Sequence, residues 1–460
     1  MLPISLLPLK RRWSAQADQS TKAVRRIHSH PHLLEAILGL NIIYIHTHDT
    51  GRFVSPYGHA VPTPNLAGLA REGVLFRKAH SAAPTCSPSR AALLTGNWPH
   101  ETGMIGLVHR GARLTDPRQH LANILGAAGF DCALVGLQHV APQDELGALG
   151  YGEVINLGAN HARDVGPAAA AWLANRTSGK PFFLSVGFFE THRVYPDADP
   201  ADDPRYLAPP PGYPDTADVR ADTARLHTSL RSVDDAVGQV LAALAASGLD
   251  SETLVIFTTD HGLPWPEAKG NLNDAGTGVA LIMRGPSGFS GGRIVDALVS
   301  QIDIFPTLMD ILGLARPAWL RGESLLPLVV GATKEIHSEV FAEVTCHAAA
   351  EPMRAIRTQE WLYIKRFDGA GSPVLANVDD GDAKTLYLRH GWATYPPAER
   401  ALYNVILDPL ERRNRVDDAD CAEIVDGLDG RLQAWMVATN DPLLDPDWTP
   451  PAHFRLEQGR

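Results

Sequence analysis

Residues 41–52 read "NIIYIHTHDTGR" and combine a buried strand with a group of polar residues at its end. The run 41–46 is almost wholly apolar, which is typical of a strand covered on both faces of a sheet. His48 and Asp49 follow where the apolar run ends. Because ligands bind beyond the carboxyl ends of strands in open α/β sheets, these two side chains are candidate site residues.

The same apolar pattern recurs along the chain and predicts further buried strands. The runs are "DCALVG", "PFFLSVG", "TLVIFTT" and "VALIM", at 131–136, 181–187, 253–259 and 279–283. Amphipathic helix patterns lie between or beside them, at 63–73, 220–247 and 303–313. This alternation predicts an α/β fold in which a mostly parallel sheet lies between helices.

The length of 460 residues favours one large domain and a smaller one. From about residue 335, "SEVFAEV", "PMRAIRT" and "EWLYIKRF" indicate short antiparallel strands, and a helix is predicted at 419–437. We therefore expect an N-terminal extension (1–40), a catalytic domain (41–334) and a C-terminal α+β subdomain (335–460).

Composition excludes several classes of protein. The net charge of −11, with no basic stripe to offset it, argues against binding nucleic acid. The four cysteines form no CxxC pair, which favours free thiols and a cytoplasmic location. Residues 1–40 carry six Lys/Arg, but their apolar run precedes the charges, the reverse of a secretory signal. An irregular extension is preferred there over a transit segment, and no membrane association is expected.

Four predicted strand ends carry histidine or aspartate. The residues are His48, Asp49, His139, His192, Asp260 and His261. A single such residue is most often a helix cap or an ordinary loop residue, but their convergence on one rim of the sheet indicates a site. The adjacent pairs His48–Asp49 and Asp260–His261 suit one divalent cation, and their imidazoles favour manganese or zinc over calcium.

The stretch "TCSPSRAALLTG" (85–96) places Cys86 just ahead of a predicted helix. A helix N-terminus favours anions, and Arg90, one turn along, can pair with the oxygens of a tetrahedral oxyanion. The alternative is that Cys86 is a small buried apolar residue, but this interpretation does not explain the polar residues around it or the arginine.

The pattern C-x-P-S-R followed by L-T-G resembles the signature of the type I sulfatases, in the alkaline phosphatase-like superfamily. The resemblance extends from about Asn41 to about Pro446. "GMIGL", "LVIFTTDHGLPWP", "PMRAIR" and "AWMVATNDP" are most similar to the heparan N-sulfatase (sulfamidase) group. The resemblance implies that a formylglycine-generating enzyme converts Cys86 to Cα-formylglycine.

The resemblance also implies roles for the strand-end residues. The metal carboxylates fall on Asp49 and Asp260, with His48 and His261 beside them, and the metal implied by the family is calcium. A sulfate-contacting basic residue falls on Lys269. His139 and His192 fall on the histidines that flank the leaving group. One position departs from the family pattern, because Leu137 stands where a sulfate-binding lysine is common.

The implied activity is hydrolysis of sulfate esters or sulfamates, with sulfated sugars as possible substrates. A hydroxyl of the hydrated aldehyde attacks sulfur, and His192 or His139 protonates the departing oxygen or nitrogen. A phosphodiesterase or phosphonate monoester hydrolase on the same scaffold is an alternative, and a non-catalytic binder of a sulfated ligand is another. A homodimer is possible.

Overall fold

The computed structural model describes residues 39–455 and is built on a large central sheet. Its strands are β1 (Asn41–Thr47), β2 (Val74–His80), β3 (Asp131–Gly136), β4 (Glu153–Ile155), β5 (Phe182–Gly187), β6 (Thr253–Thr259), β7 (Leu281–Arg284) and β8 (Arg293–Ser300). They lie in the order β4-β3-β5-β1-β6-β7-β2-β8. Only β7 runs antiparallel to its neighbours, β6 and β2, so the predicted mostly parallel sheet is confirmed.

Helices cover both faces of this sheet. The helices among the described residues are α1 (Pro64–Glu72), α2 (Cys86–Thr95), α3 (Pro99–Thr102), α4 (Leu121–Ala127), α5 (Ala162–Ala174), α6 (Ala217–Ala246), α7 (Asp274–Thr277), α8 (Ile304–Leu312), α9 (Leu326–Val329), α10 (Asp382–Arg389) and α11 (Ala422–Ala438), the last of which packs on a second sheet. Within 39–455, no helix is both long and apolar enough to cross a membrane.

Strand β1 shows why the sheet needs helices on both sides. Successive side chains of a strand point to opposite faces. Ile42 and Tyr44 join the core that contains α2, α4 and α8, whereas Ile43 and Ile45 join the core that contains α1, α5 and α6. Strand β1 pairs in parallel with both β5 and β6, so its carboxyl end lies in the middle of the sheet's rim.

A second sheet follows in the chain. Its strands are β9 (Glu339–Cys346), β10 (Ala350–Thr358), β11 (Trp361–Arg366) and β12 (Arg400–Asn404), all antiparallel. Helix α11 packs against it through Leu428 and Trp435, which share a core with Ile356 and Tyr363. The predicted antiparallel sheet is confirmed. A boundary at 334/335 stays a prediction, and the predicted extension at 1–40 lies outside the described residues except for its last two.

Candidate active site

The sequence-predicted residues meet because four neighbouring strands deliver them. Strands β3, β5, β1 and β6 are adjacent in the sheet and parallel, so their carboxyl ends share one rim. The loops that leave these ends carry the six predicted histidines and aspartates. Cys86, the first residue of helix α2, lies beside His48, Asp49 and Asp260 at this rim.

Two buried carboxylates, Asp49 and Asp260, form the centre of the site. Asp49 is 0% and Asp260 3% exposed. The backbone N–H of Asp49 donates to Asp260 Oδ1 at 2.8 Å, which ties the ends of β1 and β6 together. Nε2 of His261 lies 3.2 Å from Asp49 Oδ1, and Nδ1 of His48 lies 3.2 Å from Asp260 Oδ2. The two predicted histidine ligands therefore contact the two predicted carboxylate ligands, and all four lie together.

The donor set of these residues fits a cation. Potential ligand atoms of His48, Asp49, Cys86 and Asp260 all lie within 4.8 Å of one another. Nε2 of His48 is buried and lacks a hydrogen-bond partner among the described residues, as expected of a ring nitrogen that ligates an ion, while Nδ1 faces Asp260 Oδ2. Burial and the charge of Arg90 hold the pKa of His48 well below its usual range, so the ring is neutral and can bind a metal. His261 faces the same carboxylates but also Cys86.

Cys86 is the first residue of α2 and is 1% exposed. Its Sγ lies 3.9 Å from Asp49 Oδ1 and 3.3 Å from His261 Nε2. Burial raises the pKa of the thiol well above its usual range, so the unmodified cysteine is a protonated thiol and a weak nucleophile. Ser89 holds the helix in place, because its Oγ donates to the Asp260 carbonyl at 2.6 Å.

Arg90 is buried beside Asp260 and holds that carboxylate with its guanidinium group. It donates to the Thr47 carbonyl at 2.7 Å and to Asp260 Oδ2 at 3.0 Å, and it lies 2.5 Å from His46 Nδ1. Burial opposes ionisation of Asp260, but the charges of His261 and Arg90 outweigh it and keep the pKa of that carboxyl well below its usual range. A contact of Arg90 with a substrate oxyanion stays a prediction.

Lys269 occupies the other side of Asp49. Its Nζ donates to Asp49 Oδ2 at 2.9 Å and to Asp379 Oδ2 at 2.7 Å, and the side chain is 1% exposed. Asp49, Asp379 and His192 offer ligand atoms within 4.8 Å of one another, a set that could itself hold an ion. The ammonium group of Lys269, bonded to both carboxylates, supplies the cation there.

The two predicted leaving-group histidines have different surroundings. His192 Nδ1 lies 2.6 Å from the Arg193 carbonyl, which can only accept, so Nδ1 carries a proton and Nε2 faces Asp49 Oδ2 at 3.8 Å. His139 Nε2 lies 3.4 Å from His109 Nδ1. Burial and the charge of Arg90 lower the pKa of His139 to about 3, so that ring is neutral. His192 is the better proton donor of the two.

Three residues near the site were not predicted from the sequence. His347 follows the end of β9, is buried, and has its pKa lowered well below the usual range by burial and the charge of Lys269. The strand-end rule does not reach His347, because β9 belongs to the antiparallel sheet. His109 lies in the short 3-10 helix Val108–Arg110 and Asp379 lies on a loop, and no local sequence signal marks either of them. Leu137 is half-buried and brings no charge to the site.

Comparison with known proteins agrees with this geometry. The family model Sulfatase matches residues 40–314. The chain belongs to the sulfatase family. A second model, N-sulphoglucosamine sulphohydrolase, C-terminal, matches residues 268–379 of this sulfatase. As a sulfatase, the protein is a hydrolase of sulfuric esters or sulfamates.

Relatives span most of the sulfatase chain. Human N-sulphoglucosamine sulphohydrolase is 30% identical, over 83% of this chain and 87% of that protein. An ulvan-active sulfatase of Formosa agariphila is 25% identical, over 87% of this chain and 75% of that protein. The phosphonate monoester hydrolase of Agrobacterium radiobacter superimposes with a TM-score of 0.70 at 22% identity, covering 87% of this chain and 96% of that one. At that identity, the likeness shows the fold alone.

Proposed function

We propose that this sulfatase hydrolyses a sulfate ester or sulfamate of a saccharide, with a formylglycine made from Cys86 and one divalent metal ion. The observation that carries the proposal is the position of Cys86 at the start of α2, 3.9 Å from Asp49 Oδ1 and 3.3 Å from His261 Nε2. A buried thiol that only filled space would not need two carboxylates and two imidazoles around it.

Similarity to human N-sulphoglucosamine sulphohydrolase, at 30% identity, supports an N- or O-sulfated sugar as the substrate. Conversion of Cys86 needs the formylglycine-generating enzyme as a partner. Because Cys86 is 1% exposed in the folded chain, we infer that conversion precedes folding.

His48, Asp49, Asp260 and His261 are the residues that we propose to hold the metal. When bound, the ion would supply positive charge that polarises the sulfuryl group, and the hydrated formylglycine would supply the attacking hydroxyl. Two carboxylates suit calcium, whereas imidazoles suit manganese or zinc, so elemental analysis is needed to identify the ion.

The side chains around the metal ligands have separate proposed roles. Arg90 keeps Asp260 ionised and fixed, so that the carboxylate is ready for the metal. Lys269 provides a buried ammonium group for sulfate oxygens. His192 holds a proton on Nδ1 against the Arg193 carbonyl, so a second proton on Nε2 is the one it can give to the leaving group.

The test is a panel of substrates with protein produced beside a formylglycine-generating enzyme. The panel contains N-sulfoglucosamine, a sugar O-sulfate, 4-nitrophenyl sulfate and an aryl phosphonate monoester, and Cys86→Ala is the matched control. We expect sulfate release by the converted protein, none by the variant, and an aldehyde at position 86 that reacts with hydrazide probes. Preference for the phosphonate would assign the alternative hydrolase, and tight binding without turnover would assign a non-catalytic binder.

A further inference from the structure

Asp379 is a carboxylate at the open side of a site that binds an anion. It lies between the 3-10 turn Leu375–Asn377 and helix α10. Its side chain is 24% exposed, whereas that of Asp49 is fully buried. One oxygen, Oδ2, accepts a hydrogen bond from Lys269 Nζ at 2.7 Å. A carboxylate oxygen of Asp379 also lies within 4.8 Å of a ring nitrogen of His192. Asp379 therefore stands between the ammonium group proposed to bind sulfate and the proposed proton donor.

The segment that carries Asp379 is held on both sides. Before it, the Asn377 side chain accepts from the Ala349 backbone N–H at 2.9 Å and donates to Glu351 at 2.8 Å. After it, Lys384 Nζ donates to the Val378 carbonyl at 2.7 Å. The carboxylate is thus placed before substrate arrives, as a residue that discriminates between substrates requires.

Oδ1 of Asp379 accepts no hydrogen bond from the described residues, so it can accept one from a substrate. A carboxylate beside the leaving group distinguishes two kinds of sulfuryl bond. The bridging oxygen of a sulfate ester carries no hydrogen, so it cannot donate a hydrogen bond to the carboxylate, and the two acceptors repel each other. The nitrogen of a sulfamate carries a hydrogen that it can donate, and after cleavage it becomes an ammonium ion that the carboxylate stabilises.

We propose that Asp379 is a specificity-determining residue that favours cleavage of S–N over S–O bonds. This inference rests on the proposed function and narrows its substrate to a sulfamate. In the reaction, R–NH–SO₃⁻ and water give R–NH₃⁺ and SO₄²⁻. The S–N bond breaks with its electron pair left on nitrogen, and nitrogen gains a proton from His192. Water supplies the oxygen that ends in sulfate and the two protons that are consumed.

The test compares two substrates that differ only in the bridging atom, D-glucosamine N-sulfate and D-glucose 2-O-sulfate. We expect the wild type to prefer the N-sulfate. Asp379→Asn should lower kcat/KM for the N-sulfate about 10- to 100-fold more than for the O-sulfate, the range of a hydrogen bond to a charged group. Asp380→Asn is the matched control, because Asp380 is 98% exposed and pairs with Lys384, and its substrate ratio should equal that of the wild type.

A binding measurement separates this inference from the proposed function. Calorimetry on unconverted protein, with glucosamine and glucose as probes, needs no turnover. We expect the wild type to bind glucosamine more tightly than glucose, and we expect Asp379→Asn to abolish this preference. Equal losses of kcat/KM on both substrates, or equal binding of both sugars, would overturn the role of Asp379 while sulfatase activity stands. If the converted wild type cleaves neither substrate, the proposed function is wrong, and the binding result still decides whether Asp379 recognises an amine.

Discussion

Replacing His192 by alanine tests the assignment of the proton donor. The His192 Nδ1 proton is committed to the Arg193 carbonyl, so only Nε2 can deliver a proton to the leaving group. The other predicted leaving-group histidine, His139, has its pKa lowered to about 3 by burial and the charge of Arg90, so it cannot take over near neutral pH. The variant should therefore lose the full contribution of general acid catalysis.

That contribution is about 10²- to 10⁴-fold in rate, or about 2.7–5.4 kcal/mol of transition-state stabilisation. The loss is expected on an unactivated sugar sulfate or sulfamate, whose leaving group needs a proton. With 4-nitrophenyl sulfate, whose leaving group is stable as an anion, we expect a loss below about 10-fold. The assay is kcat/KM for sulfate release on both substrates.

The two substrates present the same sulfuryl oxygens, so their ratio isolates proton transfer from sulfate binding. His109→Gln is the control, because His109 is an exposed ring that contacts His139, and its removal should leave the ratio unchanged. Equal losses on both substrates in the His192 variant would refute the reasoning. They would show that His192 binds the sulfate group, in place of the lysine that is absent at Leu137.

Further predictions concern the metal and the stability of the fold. Asp260→Ala should reduce the metal content, measured by elemental analysis, from one equivalent to a trace, and a chelator should suppress activity of the parent protein. Arg354→Met should lower the free energy of unfolding in urea by about 3–5 kcal/mol, since it leaves the buried Asp441 carboxylate unpaired. Burial opposes protonation of His100, but the ion pair with Glu343 outweighs burial and raises the pKa of His100. The ion pair therefore stabilises the fold below about pH 6.5, where the histidine is protonated. The stabilisation is lost as pH rises through the raised pKa, and the deficit of His100→Gln should be larger at pH 6 than at pH 9.

The strands that could be predicted from the sequence are those buried on both faces. Strands β1, β3, β5 and β6 begin and end within a residue of the predicted runs, because their packing requires uninterrupted apolar residues. Strand β2 was missed because Arg77 and Lys78 interrupt it, and β8 because Asp296 does. Both lie toward one edge of the sheet, where part of each strand is exposed and polar residues cost little.

The site was predictable to the extent that strand topology builds it. A residue at a parallel strand end has its position fixed by the sheet, which is why His48 and Asp260 could be placed together from the sequence alone. The position of Asp379 depends on a loop that crosses from the second sheet and is held by Asn377. Such contacts join residues far apart in the chain, and neither periodicity nor spacing records them.

The two oxygens of Asp49 divide the site into halves. Oδ1 faces Cys86 and His261, at 3.9 and 3.2 Å, so the proposed nucleophile lies on this side. Oδ2 faces Lys269 and His192, at 2.9 and 3.8 Å, so the proposed sulfate-binding cation and proton donor lie on the other. In-line displacement at sulfur requires the attacking and departing atoms on opposite sides of the transferred group. Because Asp49 contacts groups on both sides, it links the proposed nucleophile to the proposed proton donor, and the ammonium group of Lys269 supplies positive charge between Asp49 and Asp379.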